Sequence, residues 1–518
     1  MTAPSRTGAV TAVLPDLLDR AAAVPARDHF PSVDELVAAF DALAAASPAL
    51  VSSRRIGTSR LGEPIRVYTV DPSGGADPGA GPGGAAALLD HLVVGGVHPN
   101  EPIGAWTALH LVQTLVEDQG LRERLGARWH VVPCIDPDGA RLNETWFAAP
   151  GSRTHYARWF YRPAPDEQVE WTFPTDHRDA YFDRPLPETQ ALARLIDQVR
   201  PALYVSLHNG EFGGVYYYLS RPLPSLVEAL HAVPAALGLP LDTGEPEAPF
   251  LQEHAPAVFG LTTIAETYDY LAGLGLDAGA LVGGSSSSEY ADRYGTLSLV
   301  AELPFWSDPA ADDPSPAGEE YAALVRRTAQ DLLDTHALLD RVLQAAEPHL
   351  TLVTPFLTGS RAFVPMLAET AAMDLARVDA PEAARPATVA ERFGREDLIR
   401  CFRLRYGGML LRALDVECAA GTAPAEVRRL RDELEGAYAV WQAEAETGTP
   451  DAWPIPIATL VGVQYGAVLA AAAALAAGET APVGGTASAG EGGATRATGT
   501  TAAGAQAGSP GPAPEPAS

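Results

Sequence analysis

The sequence LVVGGVHPNE, residues 92–101, combines an apolar run with two potential metal ligands. The apolar run predicts a buried β-strand, and the two glycines allow the chain to turn sharply where that strand ends. His98 and Glu101 then lie at the junction between the strand and a predicted helix over residues 102–117. Two histidines and one glutamate are a usual ligand set for a hydrolytic zinc ion that keeps one position open, so the motif predicts two of three ligands.

The third ligand is predicted at the end of another strand. Residues 201–207 form a second apolar run that ends in His208, and Gly210 lets the chain turn just beyond it. Open α/β sheets bind ligands beyond the carboxyl ends of their strands. We therefore expect His98, Glu101 and His208 to hold one Zn²⁺ per chain.

A third strand-like run, residues 297–301, ends in Glu302. An ionised carboxylate in apolar surroundings is costly unless it is paired or takes part in chemistry. Glu302 is therefore the candidate general base.

In this order the motifs resemble the zinc metallocarboxypeptidase family of the carboxypeptidase A type, in its bacterial branch. The motif at His98 and Glu101 is similar to the family's first zinc motif, residues 136–139 (DPDG) to its Asn-Pro-Asp-Gly turn, and the run ending at Glu302 to its catalytic strand. The resemblance covers roughly residues 30–345. Together with the alternation of strand-like and helix-like segments, it implies a mixed, mostly parallel α/β sheet with helices on both faces.

The resemblance also implies roles for individual residues. Glu302 would take a proton from the attacking water and deliver it to the leaving amine. Arg141, in a pattern similar to the family's Arg-x-Asn, would stabilise the oxyanion, and Arg158 would hold the substrate's terminal carboxylate. These roles predict hydrolysis of a C-terminal peptide bond.

The sequence departs from the family pattern beside the predicted carboxylate anchor. The family's Asn-Arg-Asn-Phe is matched here by residues 157–160 (ARWF), so Arg158 is kept but its preceding asparagine is replaced by Ala157. Arg162 is an alternative anchor, and Asn143 is a candidate for the missing amide. The identity of the anchor therefore stays open between two arginines.

The family's usual tyrosine before Gly-Gly-Ser is also missing, because its position falls on residues 279–280 (GA). Tyr268, Tyr270 and Tyr290 are the nearest substitutes. The polar run that follows the two glycines includes Ser286, which we expect to contact the leaving residue.

Three functions are consistent with these motifs. The first is a zinc metallocarboxypeptidase acting on peptides. The second is a zinc amidase or deacylase that uses the same chemistry on N-acyl amino acids or cell-wall-type fragments. The third is an inactive metal-holding protein that binds a partner, which the strand-borne Glu302 disfavours.

The composition argues against a nucleic-acid partner. The chain has 65 acidic and 36 basic residues, and its formal charge of −29 repels phosphate backbones and gives no reason to expect an anionic membrane surface as a partner. Its three cysteines are too few and too scattered for a disulfide framework. No secretory signal is recognisable in residues 1–30, so the predicted location is the cytoplasm.

Four segments are predicted along the chain. They are an N-terminal extension (residues 1–29), the catalytic domain (30–347), a helical C-terminal region (348–478) and a disordered Ala/Gly/Pro-rich tail (479–518). The helical region could cap the cleft, pack on the sheet or form a homo-oligomer, and packing on the sheet is favoured. Residues 73–87 are predicted to form a flexible loop. Residues 457–478 carry no charge, but their alanine-rich composition without flanking basic residues favours a buried or interface helix over a membrane span.

Overall fold

A computed structural model describes residues 9–73, 88–248, 250–281 and 283–479 of the protein. The flexible loop predicted over residues 73–87 and the disordered tail predicted over residues 479–518 lie outside this range, except for Ser73 and Glu479.

Fifteen strands are present in the described residues. They are β1 (Val51–Thr58), β2 (Pro64–Val70), β3 (Leu89–Val94), β4 (Ala127–Val132), β5 (Thr175–His177), β6 (Ala180–Phe182), β7 (Leu203–Leu207), β8 (Tyr216–Leu219), β9 (Glu253–Ala255), β10 (Val258–Gly260), β11 (Leu297–Glu302), β12 (Trp306–Ser307), β13 (Pro316–Glu320), β14 (Pro386–Thr388) and β15 (Trp453–Pro454).

Seventeen α-helices accompany them in the same residues. They are α1 (Ala9–Ala22), α2 (Val33–Ala46), α3 (Ile103–Glu117), α4 (Gln119–Leu125), α5 (Pro137–Arg141), α6 (Glu144–Phe147), α7 (Arg153–Trp159), α8 (Pro187–Val199), α9 (Pro224–Ala236), α10 (Ile264–Gly273), α11 (Ala278–Leu281), α12 (Ser287–Asp292), α13 (Tyr321–Ala346), α14 (Pro355–Arg377), α15 (Val389–Ala419), α16 (Ala425–Gly448) and α17 (Ile457–Ala476).

One nine-stranded sheet forms the centre of the molecule, in the order β1-β2-β4-β3-β7-β11-β8-β10-β9. Its four middle strands, β4, β3, β7 and β11, are parallel to one another, whereas β2 and β8 pair with them antiparallel. The predicted mixed α/β sheet is therefore confirmed. Because β3, β7 and β11 are neighbours and parallel, their carboxyl ends meet at one edge, and each end leads to a predicted site residue.

Helices cover both faces of this sheet, as predicted. Side chains alternate along each strand, so Val93 of β3 packs in one core with residues of α3, α9 and α17, while Leu92 and Val94 pack on the opposite face with α8. Because both faces of the sheet are covered by helices, its middle strands are largely apolar on both sides.

The C-terminal helices α14 and α15 share the main hydrophobic core with the sheet. Charged contacts reinforce this packing, because Arg153 of α7 binds Asp397 of α15 through two hydrogen bonds of 2.7 Å and Glu211 through one of 2.8 Å. Arg405 of α15 also pairs with Glu211, at 2.5 Å. The predicted boundary at residue 348 and the predicted homo-oligomer stay predictions.

Helix α17 is the helix, among the described residues, that is long and apolar enough to span a membrane. However, 83% of its most apolar 18-residue stretch is buried inside the protein, against α1, α9, α3 and the sheet. Its hydrophobicity is accounted for by this packing, as the prediction of a buried helix anticipates.

Candidate metal centre and catalytic site

Two glycines form the turn that places His98 beyond the end of β3. A Cβ atom on Gly95 would lie 2.5 Å from the carbonyl oxygen of Pro133, and Gly96 has a φ of +66° with Cys134 Sγ 2.9 Å from its Cβ position. Side chains are excluded at both positions, by close approach at the first and by backbone conformation as well at the second. The glycines are therefore required for the close contact between this turn and the segment after β4.

Helix α3 is held against β7, which brings Glu101 and His208 together. Gly104 allows the contact, because a Cβ atom there would lie 2.7 Å from Leu207 Cβ. Asn209 reinforces it in two ways: its Oδ1 accepts the N–H of Ile103 at 3.1 Å, and its own N–H donates to Glu101 Oε2 at 3.2 Å. Asn209 thus links the start of α3 to the end of β7 through its side-chain oxygen and its backbone N–H.

The three predicted ligands form one buried cluster. Nδ1 of His98 lies 3.1 Å from Glu101 Oε1, and Nδ1 of His208 lies 3.2 Å from Glu101 Oε2. Their potential ligand atoms all lie within 4.8 Å of one another. In the described part of the chain this is the one group of three or more His, Cys, Asp or Glu residues with such geometry.

The electrostatics of the cluster suit a cation. Burial, reinforced by the charge of Arg162, lowers the pKa of His98 to about 3, so this imidazole is neutral. Burial acts to raise the pKa of Glu101, but His98, His208 and Arg162 outweigh it and hold that pKa well below its usual range. Burial lowers the pKa of His208, yet the hydrogen bond and charge of Glu101 prevail and raise it to about 9. A metal ion would therefore displace the proton of His208.

A relay of polar side chains orients His208 from behind. Its Nε2 lies 2.8 Å from Ser206 Oγ, and Ser206 donates to Glu170 at 3.3 Å. Ser287 also donates to Glu170, at 2.7 Å. A proton held on Nε2 by this relay leaves the Nδ1 lone pair facing the cluster, which is how outer hydrogen bonds prepare a histidine ligand.

Glu302 lies beside the cluster at the end of β11. Its Oε1 is 3.7 Å from His208 Nδ1, because β11 and β7 are adjacent parallel strands that pair up to Ala301 and Leu207. Burial raises the pKa of Glu302 well above its usual range; the charge of His208 opposes this and the charge of Glu101 adds to it. A carboxylate with a raised pKa beside a metal site suits proton transfer.

The residues present fit a zinc ion. Two imidazoles and one carboxylate converge with an ionised Glu101 and Nδ1 atoms directed at it, and Glu302 lies next to them without belonging to the triad. This donor set is the usual one for catalytic zinc with an open fourth position. His98, Glu101 and His208 are thus the residues that would hold the metal.

Arg162 is the arginine that the structure brings to the cluster. Its Nη1 lies 3.1 Å from Glu101 Oε1, and its Nε donates to Gln168 at 3.2 Å. Gln168 is itself fixed by donating to the carbonyl of Pro163 at 2.9 Å. The sequence offered Arg162 only as the alternative anchor.

The other two predicted arginines, Arg141 and Arg158, form ion pairs with acidic side chains that do not belong to the cluster, and their predicted roles stay predictions. Arg141 pairs with Asp34 at 2.7 Å and with Glu63 at 2.8 Å. Its position at the end of the short helix α5 directs it to α2 and the β1–β2 hairpin, not to the strand ends.

Arg158 is directed at the C-terminal helices. It pairs with Asp415 at 2.9 Å and with Glu435 at 3.4 Å. The helix α7 that carries it packs on α15 and α16, whose acidic side chains occupy its guanidinium. The local pattern around Arg158 could not reveal this, because its partners come from outside the segment that resembles the family.

Asn143 and Ser286 have supporting positions. Asn143 donates to the carbonyl of Tyr161 at 2.9 Å and accepts its N–H at 2.9 Å, so it fixes the backbone directly before Arg162. Ser286 caps α12 by accepting the N–H of Glu289 at 3.0 Å. In this polar run it is the next residue, Ser287, that connects to the cluster through Glu170.

The predicted substitute tyrosines also lie elsewhere. Tyr268 donates to Asp179, Tyr290 donates to Asp197 at 3.0 Å, and Tyr270 stacks on Phe250.

The tyrosines beside the base are Tyr216 and Tyr218 of β8. Tyr216 is directly opposite Glu302 in the antiparallel pair of β8 and β11. Both hydroxyls donate to Glu247, at 2.6 Å and 2.5 Å. Burial raises the pKa of Glu247 to about 7 despite these two bonds.

The turn at residues 136–139 carries an aspartate where the family pattern has asparagine. Asp136 is fully buried, and its Oδ1 accepts the N–H of Gly139 at 2.9 Å. Burial raises its pKa from 3.8 to about 6, although the charge of Arg60 opposes this.

Replacing this residue (Asp136→Asn) is expected to change how stability depends on pH. The folded protein binds the proton of Asp136 more tightly than the unfolded chain does. Protonated Asp136 therefore makes its full contribution to the free energy of unfolding below about pH 4, and this contribution is lost as the pH rises through 6. Asparagine cannot ionise. We therefore expect the stability of the variant relative to wild type to rise by about 2.5 kcal/mol from pH 4 to pH 7. Urea unfolding at several pH values measures this, and a pH-independent difference would contradict it.

The sheet and the buried triad at its edge have the features of a zinc hydrolase. Residues 36–230 match the sequence model of the zinc carboxypeptidase family, Peptidase_M14, which confirms the resemblance. The chain is also 33% identical over 138 residues to murein peptide amidase A of Escherichia coli K12, and to the same protein of the O157:H7 strain. That alignment covers 25% of this chain, and the chain spans about half (52%) of the length of these curated relatives.

Two solved structures also match the chain, at low identity. Carboxypeptidase A from Helicoverpa armigera is 17% identical, with 71% of this chain and 81% of that chain covered and a TM-score of 0.33. A metallo-carboxypeptidase from Burkholderia cenocepacia is 18% identical, with 53% and 60% covered and a TM-score of 0.32.

Proposed function

We propose that this protein is a zinc-dependent metallocarboxypeptidase that hydrolyses a C-terminal peptide bond. The observation that carries the proposal is the buried triad His98, Glu101 and His208 with Glu302 only 3.7 Å from His208. When bound, zinc would polarise the substrate carbonyl and make water more acidic. The rest of the chemistry belongs to the chain's own residues.

Glu302 is proposed to move the proton. Its carboxylate accepts a proton from the attacking water and later delivers it to the nitrogen of the leaving amine. The raised pKa of Glu302, caused mainly by burial, favours its holding the proton between the two steps. No other buried carboxylate of the described residues forms an ion pair with a ligand histidine except Glu101, which is itself a ligand.

Arg162 is proposed to hold the terminal carboxylate. In an exopeptidase substrate the carboxylate lies only one residue, about 3.5 Å, beyond the scissile carbonyl. An arginine in contact with a metal ligand is therefore within reach of it. Its contacts in the described part of the chain use Nε and Nη1, and a planar guanidinium still offers a further N–H edge to a carboxylate.

A zinc amidase is the second candidate. It is supported by the 33% identity to murein peptide amidase A, whose name describes cleavage of an amide in a murein peptide. The same triad, base and arginine would serve this reaction. The two candidates differ in whether the leaving group must carry a free carboxylate at its end.

The test compares matched substrates. We would incubate the zinc-loaded protein with one peptide series carrying either a free C-terminal carboxylate or a C-terminal amide, alongside N-acyl amino acids and a murein-type peptide. The carboxypeptidase proposal expects stepwise release of C-terminal residues from the free acids and resistance of the amidated peptides. Cleavage confined to the N-acyl or murein-type compounds would replace it with the amidase, and zinc binding without any turnover would favour the metal-holding protein.

The remaining expectations on partners are also proposals. We propose that the substrate is a peptide or small amide, that nucleic acid and membrane are not partners, and that the protein acts in the cytoplasm. The formal charge of −29 supports the exclusion of nucleic acid, and the burial of α17 supports the exclusion of a membrane.

A further inference from the structure

Helix α17 lies outside residues 36–230, yet it packs directly beneath the metal centre. It contacts both β7 and β11, the strands that lead to His208 and Glu302. Glycines make this packing close: a Cβ atom on Gly462 would lie 2.3 Å from the carbonyl oxygen of Ala21, and one on Gly466 would lie 2.9 Å from Val233 Cγ1. The position of α17 relative to the sheet is therefore tightly determined.

One buried amide on this helix reaches the ends of both strands. Gln464 is fully buried, and its Nε2 donates to the carbonyl oxygen of His208 at 2.9 Å and to that of Ala301 at 3.5 Å. The ladder between β7 and β11 ends at the pair Leu207 and Ala301. Gln464 thus provides a donor just where the backbone pairing of the two strands stops.

The buried side-chain amide of Gln464 is energetically unfavourable in an apolar helix. Burying it costs free energy unless its hydrogen bonds are made, and its Oε1 has no partner among the described residues. Methionine or leucine would fill a similar volume without this cost. The two hydrogen bonds made by Nε2 therefore indicate a role for Gln464 other than packing.

We propose that Gln464 is a positioning residue for the metal centre. By holding the carbonyls of His208 and Ala301 together, it determines where the two strands end, and hence the distance between the third ligand and Glu302. The C-terminal helix is then part of the catalytic unit. This inference rests on the proposed function for its catalytic consequence, but its effect on metal binding does not depend on the substrate.

The test uses a variant without the donor, Gln464→Met, with Tyr465→Phe as the matched control. Tyr465 is the next residue of α17, equally buried, and its ring packs on His110. Three quantities are measured on each full-length protein: the zinc dissociation constant by chelator competition, kcat and KM separately, and the thermal midpoint of the zinc-free protein.

We expect Gln464→Met to bind zinc 10- to 100-fold more weakly and to lose kcat by a similar factor, because the loss of an outer hydrogen bond to a metal ligand typically has a cost of this size. KM and the zinc-free thermal midpoint should stay close to those of Tyr465→Phe. A lower midpoint with zinc affinity and kcat equal to the control would show a merely structural role and overturn the proposal.

A second variant covers the case that Gln464→Met does not fold. Gln464→Asn keeps an amide but shortens its reach by one methylene group, so zinc affinity is expected to fall there too; unchanged affinity would count against the proposal. A wild-type protein that binds zinc but hydrolyses nothing would defeat the proposed function alone, and the zinc affinities would still decide the role of Gln464.

Discussion

Replacing Glu302 by glutamine (Glu302→Gln) is expected to lower kcat by about 10²- to 10⁴-fold, the usual contribution of a positioned acid–base group. Glutamine is nearly the same shape but cannot accept and return a proton. Because Glu302 is next to the triad but not one of its ligands, the variant should still hold zinc, and KM should change little. Steady-state kinetics on the best peptide substrate, with zinc content measured in parallel, gives the answer.

The matched control is Glu188→Gln, another fully buried glutamate. Glu188 accepts the N–H of Arg60 at 2.7 Å, away from the metal centre. Its variant should keep wild-type kcat. Near-normal turnover by Glu302→Gln would remove this residue from the mechanism, even if the protein proved to be a zinc hydrolase.

The second large effect is expected from Arg162→Lys. Lysine keeps the charge but loses the planar fork that binds a carboxylate through two hydrogen bonds. A hydrogen bond to a charged group contributes about 1.5–3 kcal/mol, so kcat/KM for free-acid peptides should fall by about 10- to 150-fold, mainly through KM. Amidated peptides, already poor substrates, should be little affected. Kinetics on the matched free-acid and amidated pair measures this difference.

The control for this experiment is Arg158→Lys. Arg158 lies in the neighbouring segment and binds Asp415 and Glu435, so its replacement should leave the kinetics unchanged. An equal loss of kcat on both kinds of substrate in Arg162→Lys would assign Arg162 to the oxyanion instead of the carboxylate. A loss confined to Arg158→Lys would contradict the placement of both residues.

The sequence predicted the sheet and the metal cluster because both depend on local patterns. Apolar runs that end in His98, His208 and Glu302 indicate buried strands, and parallel neighbours bring their ends to one edge. The hydrogen bond from His208 to Ser206 could also have been predicted from the sequence. Ser206 lies two residues before His208, so the alternation of side chains in a strand places both on one face.

The arginines show where such patterns stop. Arg141, Arg158 and Arg162 lie close together in the sequence, and their order cannot tell which is directed at the strand ends. That choice depends on acidic partners from distant segments, namely Asp34 for Arg141 and Asp415 for Arg158. Long-range ion pairs of this kind have no sequence signal within the motif.

Gln464 illustrates a second limit. The apolar run around it predicts a buried helix, which is what the structure has. Nothing in that run indicates which surface the helix covers, because a nearly uniform apolar composition lacks a distinct face. The contact with the carbonyl of His208 is visible only in the folded protein.

The central claim is that His98, Glu101 and His208 hold a catalytic zinc ion, and elemental analysis of purified protein tests it most directly. We would compare wild type with His208→Ala, and with His110→Ala as a control histidine that packs on Tyr465 away from the triad. The account predicts about one zinc ion per chain in wild type and in His110→Ala, and its loss in His208→Ala. No bound metal in wild type after zinc supplementation, or equal zinc in all three proteins, would contradict it.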